Sequence, residues 1–212
     1  MEVDKGITEL ESKIGTKSGF FADLLKEDDW SFIIKLHAFF EAVCTHLLLF
    51  HFKEPNLGEL FSRLELSNKT TGKIAFLSKL EMIGKNHRRL IASLSELRNS
   101  LVHDVRNSEF NLSEFVNSLS DNELKQFVVS FSPFESLIRQ MANKPLFPDS
   151  KPNKTLLKQA DINNLITRAK GNPKEHIWFG SHNVLVSIVD MYGYSDYKQW
   201  NKAKELFNEE YE

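Results

Sequence analysis

The chain has 212 residues, of which 41% are hydrophobic and 26% charged, with nine Gly, six Pro and a formal net charge of −2. This is the make-up of an ordinary globular protein of one large domain, or one domain with an appendage, and it excludes disordered, collagen-like and disulfide-stapled chains. A lone cysteine, Cys44, cannot form an internal disulfide and fits a reducing interior.

The acidic start MEVDKGITELESK has no apolar run of the signal-peptide kind. Asp28-Asp29-Trp30 then opens WSFIIKLHAFFEAVCTHLLLFHF, with acids where a helix N-terminus favours them. Apolar residues fall on almost every side of this segment, which predicts a central buried helix of about six turns. Its longest uncharged run, Ala42 to Phe52, holds two His and is too short to span a bilayer. A cytoplasmic protein with no membrane association is expected. Glu54-Pro55-Asn56 ends the long helix, and a short helix is predicted from Leu57 to Leu64. Thr70-Thr71 predicts the cap of a helix running to Gly84. The next helix is predicted from Asn86 to at least Val102, and another from Ser120-Asp121 to about Met141. The stretch 144–154, KPLFPDSKPNK, holds three of the six prolines and reads as a linker. Helical patterns follow at about 155–170, 175–191 and 195–209, broken at Gly171-Asn172-Pro173 and Gly193-Tyr194. Hairpin signals and internal repeats are absent from the sequence. The expected fold is all-α. It comprises a helical bundle with an N-terminal helix over 1–143, a linker over 144–154, and a helical C-terminal extension over 155–212 packed on the bundle.

Charge is uneven. Residues 69–106 carry four Lys and four Arg against Glu81, Glu96 and Asp104, and the two ends of the chain are acidic. A total near zero gives no reason for tight non-specific nucleic-acid binding, whereas the basic segment can attract phosphates. Lys85, Arg88, Arg89 and Arg106 are the candidate RNA-backbone contacts, with a solvated helix face as the plain alternative.

The informative helix is NHRRLIASLSELRNSLVH, Asn86 to His103. Leu90, Leu94, Leu97 and Leu101 form a narrow apolar stripe. At about 100° per residue, Asn99 and His103 fall on the opposite face with Arg88 and Ser95, and Arg98 falls on the flank. Core packing explains neither Asn99 nor His103. One alternative is a surface pair in which Arg98 and His103 bridge to Glu96 or Asp104 and cap the helix.

At these residues the sequence resembles the HEPN-domain family. Arg98-Asn99-Ser100-Leu101-Val102-His103 fits its Arg-x4–6-His signature, with a polar residue directly after the Arg. A long early helix with an acid in mid-helix, here Glu41 in LHAFFEAV, and a stretch such as TTGKIAFLSKLEMIG before the motif helix extend the likeness over roughly 28–142. The resemblance implies a metal-independent endoribonuclease with no cofactor. Its relatives include toxins of toxin–antitoxin pairs and phage-defence effectors, as well as members that have lost catalysis and serve as interaction modules. Implied partners are RNA, a second copy of the chain, and an antitoxin or effector protein. Arg98, His103 and Asn99 are then the catalytic candidates, with Glu41 supporting them by pairing with Arg98 or lining the site. A plain structural hydrogen bond is the alternative role for Glu41.

That chemistry suits these side chains. RNA carries its own nucleophile, the 2′-OH. Histidine can serve as acid or base near neutral pH, and arginine offers a permanent bidentate fork to phosphate oxygens. Arg98 and His103 stand about 140° apart on a regular helix, so converging on one phosphate takes two chains. Elsewhere, His37, Glu41 and Cys44 share one side of the long helix but have no partner cluster with ligand spacing, so no metal is expected. No phosphate-binding Gly loop is present. His176, Trp178, His182 and Tyr192 read as aromatic packing.

Overall fold

The structure, a computed structural model, describes residues 5–102, 109–133 and 154–209, with side chains described over 5–102, 109–133 and 162–191. The described residues form ten α-helices and no strand, so the chain is all-α. In chain order these are α1 (Lys5–Lys13), α2 (Phe20–Asp23), α3 (Asp29–Phe52), α4 (Gly58–Arg63), α5 (Lys73–Lys79), α6 (Lys85–Val102), α7 (Leu112–Ser118), α8 (Asp121–Ser130), α9 (Lys154–Gly171) and α10 (Pro173–Glu209).

The axis of the fold is α3. Asp28 caps it by accepting the Ser31 N–H, and Lys53, in the left-handed region at φ 53°, ends it by donating its N–H to the Leu49 carbonyl. Its 24 residues bury side chains on every side, from Phe32, Ile33 and Leu36 to Val43, Leu47 and Leu48. The helices α4, α5 and α6 all pack against it. By length and composition α3 could cross a membrane, and more than half of its most apolar window is buried inside the protein.

The far end of the chain returns to the beginning. Ile177, Trp178, Val184, Leu185 and Ile188 of α10 join the same core as Phe21, Phe32 and Phe39. The Trp178 Nε1–H donates to the Phe21 carbonyl at 2.9 Å, and the two rings stack at 4.9 Å. Lys174 pairs with Asp29 at 2.8 Å and donates to the Glu27 carbonyl at 2.6 Å. His182 stacks on Trp178, and His176 stacks on Phe127. These three residues are packing aromatics, as expected. The Tyr192 side chain lies outside the described residues.

Several boundaries differ from the sequence expectation. Thr70-Thr71 is not a helix cap. Both of its N–H groups bond to the Asn68 side chain in a turn, and α5 begins after Gly72 and stops at Lys79, short of Gly84. The helix predicted to reach Met141 ends at Ser130. It starts with the expected Ser120 cap, now seen as a full capping box with Glu123. Its stop precedes Pro133, which disfavours helical backbone in the residue before it. Gly193-Tyr194 does not break α10, because an interior glycine costs a helix only about 1 kcal/mol. The linker 144–154 falls almost wholly outside the described residues.

Candidate functional site

The arc that α6 buries is wider than its leucine stripe. His87, Ile91 and Ser95 are buried together with Leu90, Leu94, Leu97 and Leu101. Ser95 therefore does not stand on the polar face. It is 2% exposed, and its hydroxyl donates to the Ile91 carbonyl at 2.9 Å. The extra burial comes from α10, which crosses this side. The Gly84 N–H donates to His87 Nδ1 at 3.1 Å, so Nε2 carries the proton and donates to the Ser187 hydroxyl at 3.0 Å. Burial holds His87 below the usual histidine range.

This wider arc changes the setting of Arg98. At about 100° per residue it lies within about 40° of His87, Ile91 and Leu94. It is thus inside the buried arc and not on its flank. Placed near the C-terminal end of α6, it remains half-buried. Its Nη1 donates to the Asn99 side-chain oxygen at 3.0 Å. Asn99 is exposed and holds the guanidinium. Among the described residues Arg98 makes no ion pair with a carboxylate, Glu96 included. His103 and Arg106, the other members expected at this end, lie outside the described residues.

His37 of α3 is 8% exposed. Burial, and after it the Arg98 charge, holds His37 below its usual pKa; Lys73 pushes the same way and Glu41 opposes them. His37 is therefore mostly neutral at pH 7. Glu41, one turn further along α3, does not pair with Arg98. Its Oε1 accepts from the Lys73 ammonium at 2.7 Å, and Lys73 also donates to the Ser62 carbonyl at 3.4 Å. The ammonium is almost wholly enclosed, whereas the Glu41 side chain is 39% exposed at the edge of an open groove of about 570 Å³ between α1, α3 and α4. A lysine so enclosed is tolerated only when a carboxylate answers it. Its signal in the sequence was nil, because a lysine at the start of a short helix reads as solvated.

The other candidates are spread out. Lys85 and Arg88 are exposed at the N-terminal end of α6, and Arg89 is half-buried beside Asn86. A ten-residue separation puts Arg88 about 15 Å from Arg98 along the helix. Those cations can follow a polyanion leading to Arg98, but they do not share one phosphate with it. Cys44 is fully buried, which pushes its thiol up to about 12. Among the described residues no cluster of His, Cys, Asp and Glu has the grouping of a metal centre.

The site therefore offers one arginine whose fork meets no carboxylate among the described residues, a mostly neutral histidine that feels its charge, and an acid paired with a buried lysine. The chain matches no family model, no curated protein and no solved structure.

Proposed function

We propose that the protein is a homodimeric, metal-independent endoribonuclease of the HEPN type, its site shared between two copies. The observation that carries this is Arg98. It is half-buried, bonded to Asn99, and unpaired with any carboxylate among the described residues. A guanidinium in that state keeps donors for an anion, and its planar fork fits the oxygens of a phosphate. In the proposed reaction the 2′-OH attacks the adjacent phosphorus, forming the P–O2′ bond and breaking P–O5′. One His103 takes the 2′-OH proton, and the His103 of the second copy delivers a proton to the leaving 5′-oxygen. Arg98 stabilises the phosphorane, and Asn99 orients Arg98. The basic residues at the start of α6 carry the strand further along.

The test is incubation of the purified protein with RNA in excess EDTA. Cleavage that persists and leaves a 2′,3′-cyclic phosphate, or its hydrolysis product, is the expected result. Activity that appears only with added Mg²⁺ or Mn²⁺ sinks the mechanism.

A second function, a non-catalytic interaction module on the same fold, is favoured by the large apolar side chains Phe52 and Leu60, exposed at the corner of α3 and α4. Its mark is full cellular activity in an Arg98→Ala variant.

A further inference from the structure

Lys73 is 1% exposed, yet it occupies the first position of α5, where the helix macrodipole disfavours a cation. The preceding loop is built to put it there. The Lys73 N–H donates to the Glu65 carbonyl at 2.9 Å. At Gly72 the backbones pass so closely that a Cβ would lie 2.6 Å from the nitrogen and oxygen of Asn68. The ammonium reaches the wall of the open groove between α1, α3 and α4, and there it takes Oε1 of Glu41 at 2.7 Å. An enclosed ion pair adds little to stability. What this one does is pin the Glu41 carboxylate in the groove by one oxygen.

The groups around the other oxygen are acceptors. Among the described residues Glu41 Oε2 accepts no hydrogen bond, and 39% of the side chain is exposed. The Thr45 hydroxyl, one turn along α3, donates its proton to the Glu41 carbonyl at 2.9 Å. The Ser62 hydroxyl donates its own to the Glu59 carbonyl at 2.8 Å. Each of these oxygens keeps a lone pair and has no proton left to offer. Ser62 belongs to the same corner, because its carbonyl lies 3.4 Å from the Lys73 ammonium. Both lysines of the lining already have carboxylates, Lys13 on Glu9 at 2.8 Å and Lys73 on Glu41. His46, held below its usual pKa by burial and then by Lys13, is mostly neutral at pH 7. The apolar lining is Ile14, Ala38, Ala42 and Leu49, and the two alanines leave the α3 side of the groove open.

We propose that this groove binds a small primary ammonium carried on a short apolar body. The head donates to Glu41 Oε2 and to the hydroxyl oxygens of Thr45 and Ser62, and the body lies on Ala38, Ala42 and Leu49. An ammonium has three donors and no acceptor, which matches a corner of acceptors. A carboxylate there would face Glu41 with like charge, and an alcohol would supply a single neutral donor. Lys73 positions the carboxylate without touching the ligand. Nothing in this site depends on Arg98 or on the RNA reaction.

The probes are pentylamine, protonated at pH 7, with pentanol and hexanoate as the same chain under a neutral and an anionic head. Each is titrated into the full chain and followed by the backbone amide resonances of Ala38, Ala42 and Thr45. Pentylamine should bind roughly ten-fold or more tightly than pentanol, the difference expected of a charge-assisted head, and hexanoate should not bind. Ala42→Leu fills the groove and should abolish binding with Glu41 and Lys73 intact. Thr45→Val keeps the shape, removes one acceptor, and should weaken pentylamine by roughly two- to ten-fold while leaving pentanol unchanged. Glu41→Gln with Lys73→Met removes both charges without stranding a buried ammonium, and should bring pentylamine down to the level of pentanol. Should that double variant fail to fold, Ala42→Leu and Thr45→Val decide. Resonances unmoved by pentylamine, pentanol or hexanoate bound as tightly as pentylamine, or pentylamine binding unchanged in Ala42→Leu overturns the site.

Discussion

Gly180→Ala is the most demanding test of how α10 sits on the bundle. Gly180 is buried in the first part of α10, and a Cβ there would lie far inside van der Waals contact with the Phe131 carbonyl oxygen and 2.8 Å from its carbon. Ordinary contact begins at about 3.4 Å. The two backbones must therefore separate by roughly 0.6 Å to clear the carbon alone, and further to clear the oxygen. No rotamer change can relieve this, because both sides are main chain. Separation loosens Phe131, Trp178 and Val184, which are 2%, 3% and 0% exposed. Overpacking of this kind costs about 3 kcal/mol at the upper end of its usual range. The better helix propensity of alanine returns about 1 kcal/mol. A net loss of about 2 kcal/mol or more corresponds to a fall in Tm of roughly 4–8 °C for a chain of this size. Gly171→Ala is the control, since a Cβ at that exposed position meets nothing within 4 Å. It should leave stability unchanged or raise it slightly. Thermal and urea unfolding followed by circular dichroism reads both variants. Equal midpoints for Gly180→Ala and wild type would show that α10 does not lie against the end of α8 as described.

Three further outcomes are expected. Burial depresses His176 to about 4, so between its unfolded value near 6.5 and about 4 the unfolded chain binds more protons than the folded one. Stability should therefore fall as pH drops from 6.5 to 4, and a His176→Phe variant, measured by urea unfolding at pH 7 and pH 5, should lose less than wild type. In the RNA assay His103→Ala should slow cleavage by roughly 10²–10⁴-fold and Arg98→Ala by about 10²–10³-fold. Arg98→Lys should not rescue, because it keeps the charge and loses the fork. Leu94→Ala, at a fully buried position, should instead cost about 2–5 kcal/mol of stability. Unchanged cleavage in all three polar variants refutes the nuclease function.

The features legible in the sequence were those set by short-range pattern. The limits of α3 and α6 followed from capping acids and apolar period, and the Ser120 cap from the Ser-x-x-Glu spacing. The width of the buried arc on α6 was not legible, because it depends on a helix a hundred residues away whose Ser187 meets His87. The misplacement of Ser95 and Arg98 on the helical wheel has that single cause. Lys73 escaped notice for a related reason. Its burial depends on the fold of the loop before it, and nothing in the local composition marks an enclosed ammonium. The partner of Glu41 is hidden with it, since the sequence separates Lys73 from Glu41 by 32 positions.

The hydrogen bond from Trp178 to Phe21 spans 157 positions, and the one from Lys174 to Glu27 spans 147. During synthesis the aromatic surface of Phe20, Phe21 and Phe39 leaves the ribosome long before its cover does. Helices α1 to α8 must wait with an apolar face open until α10 arrives. The core is therefore complete only once α10 has been made, and its longest loops close last. A nascent chain halted before α10 would present that open face to its neighbours, making stalled or truncated copies the aggregation-prone form of this protein.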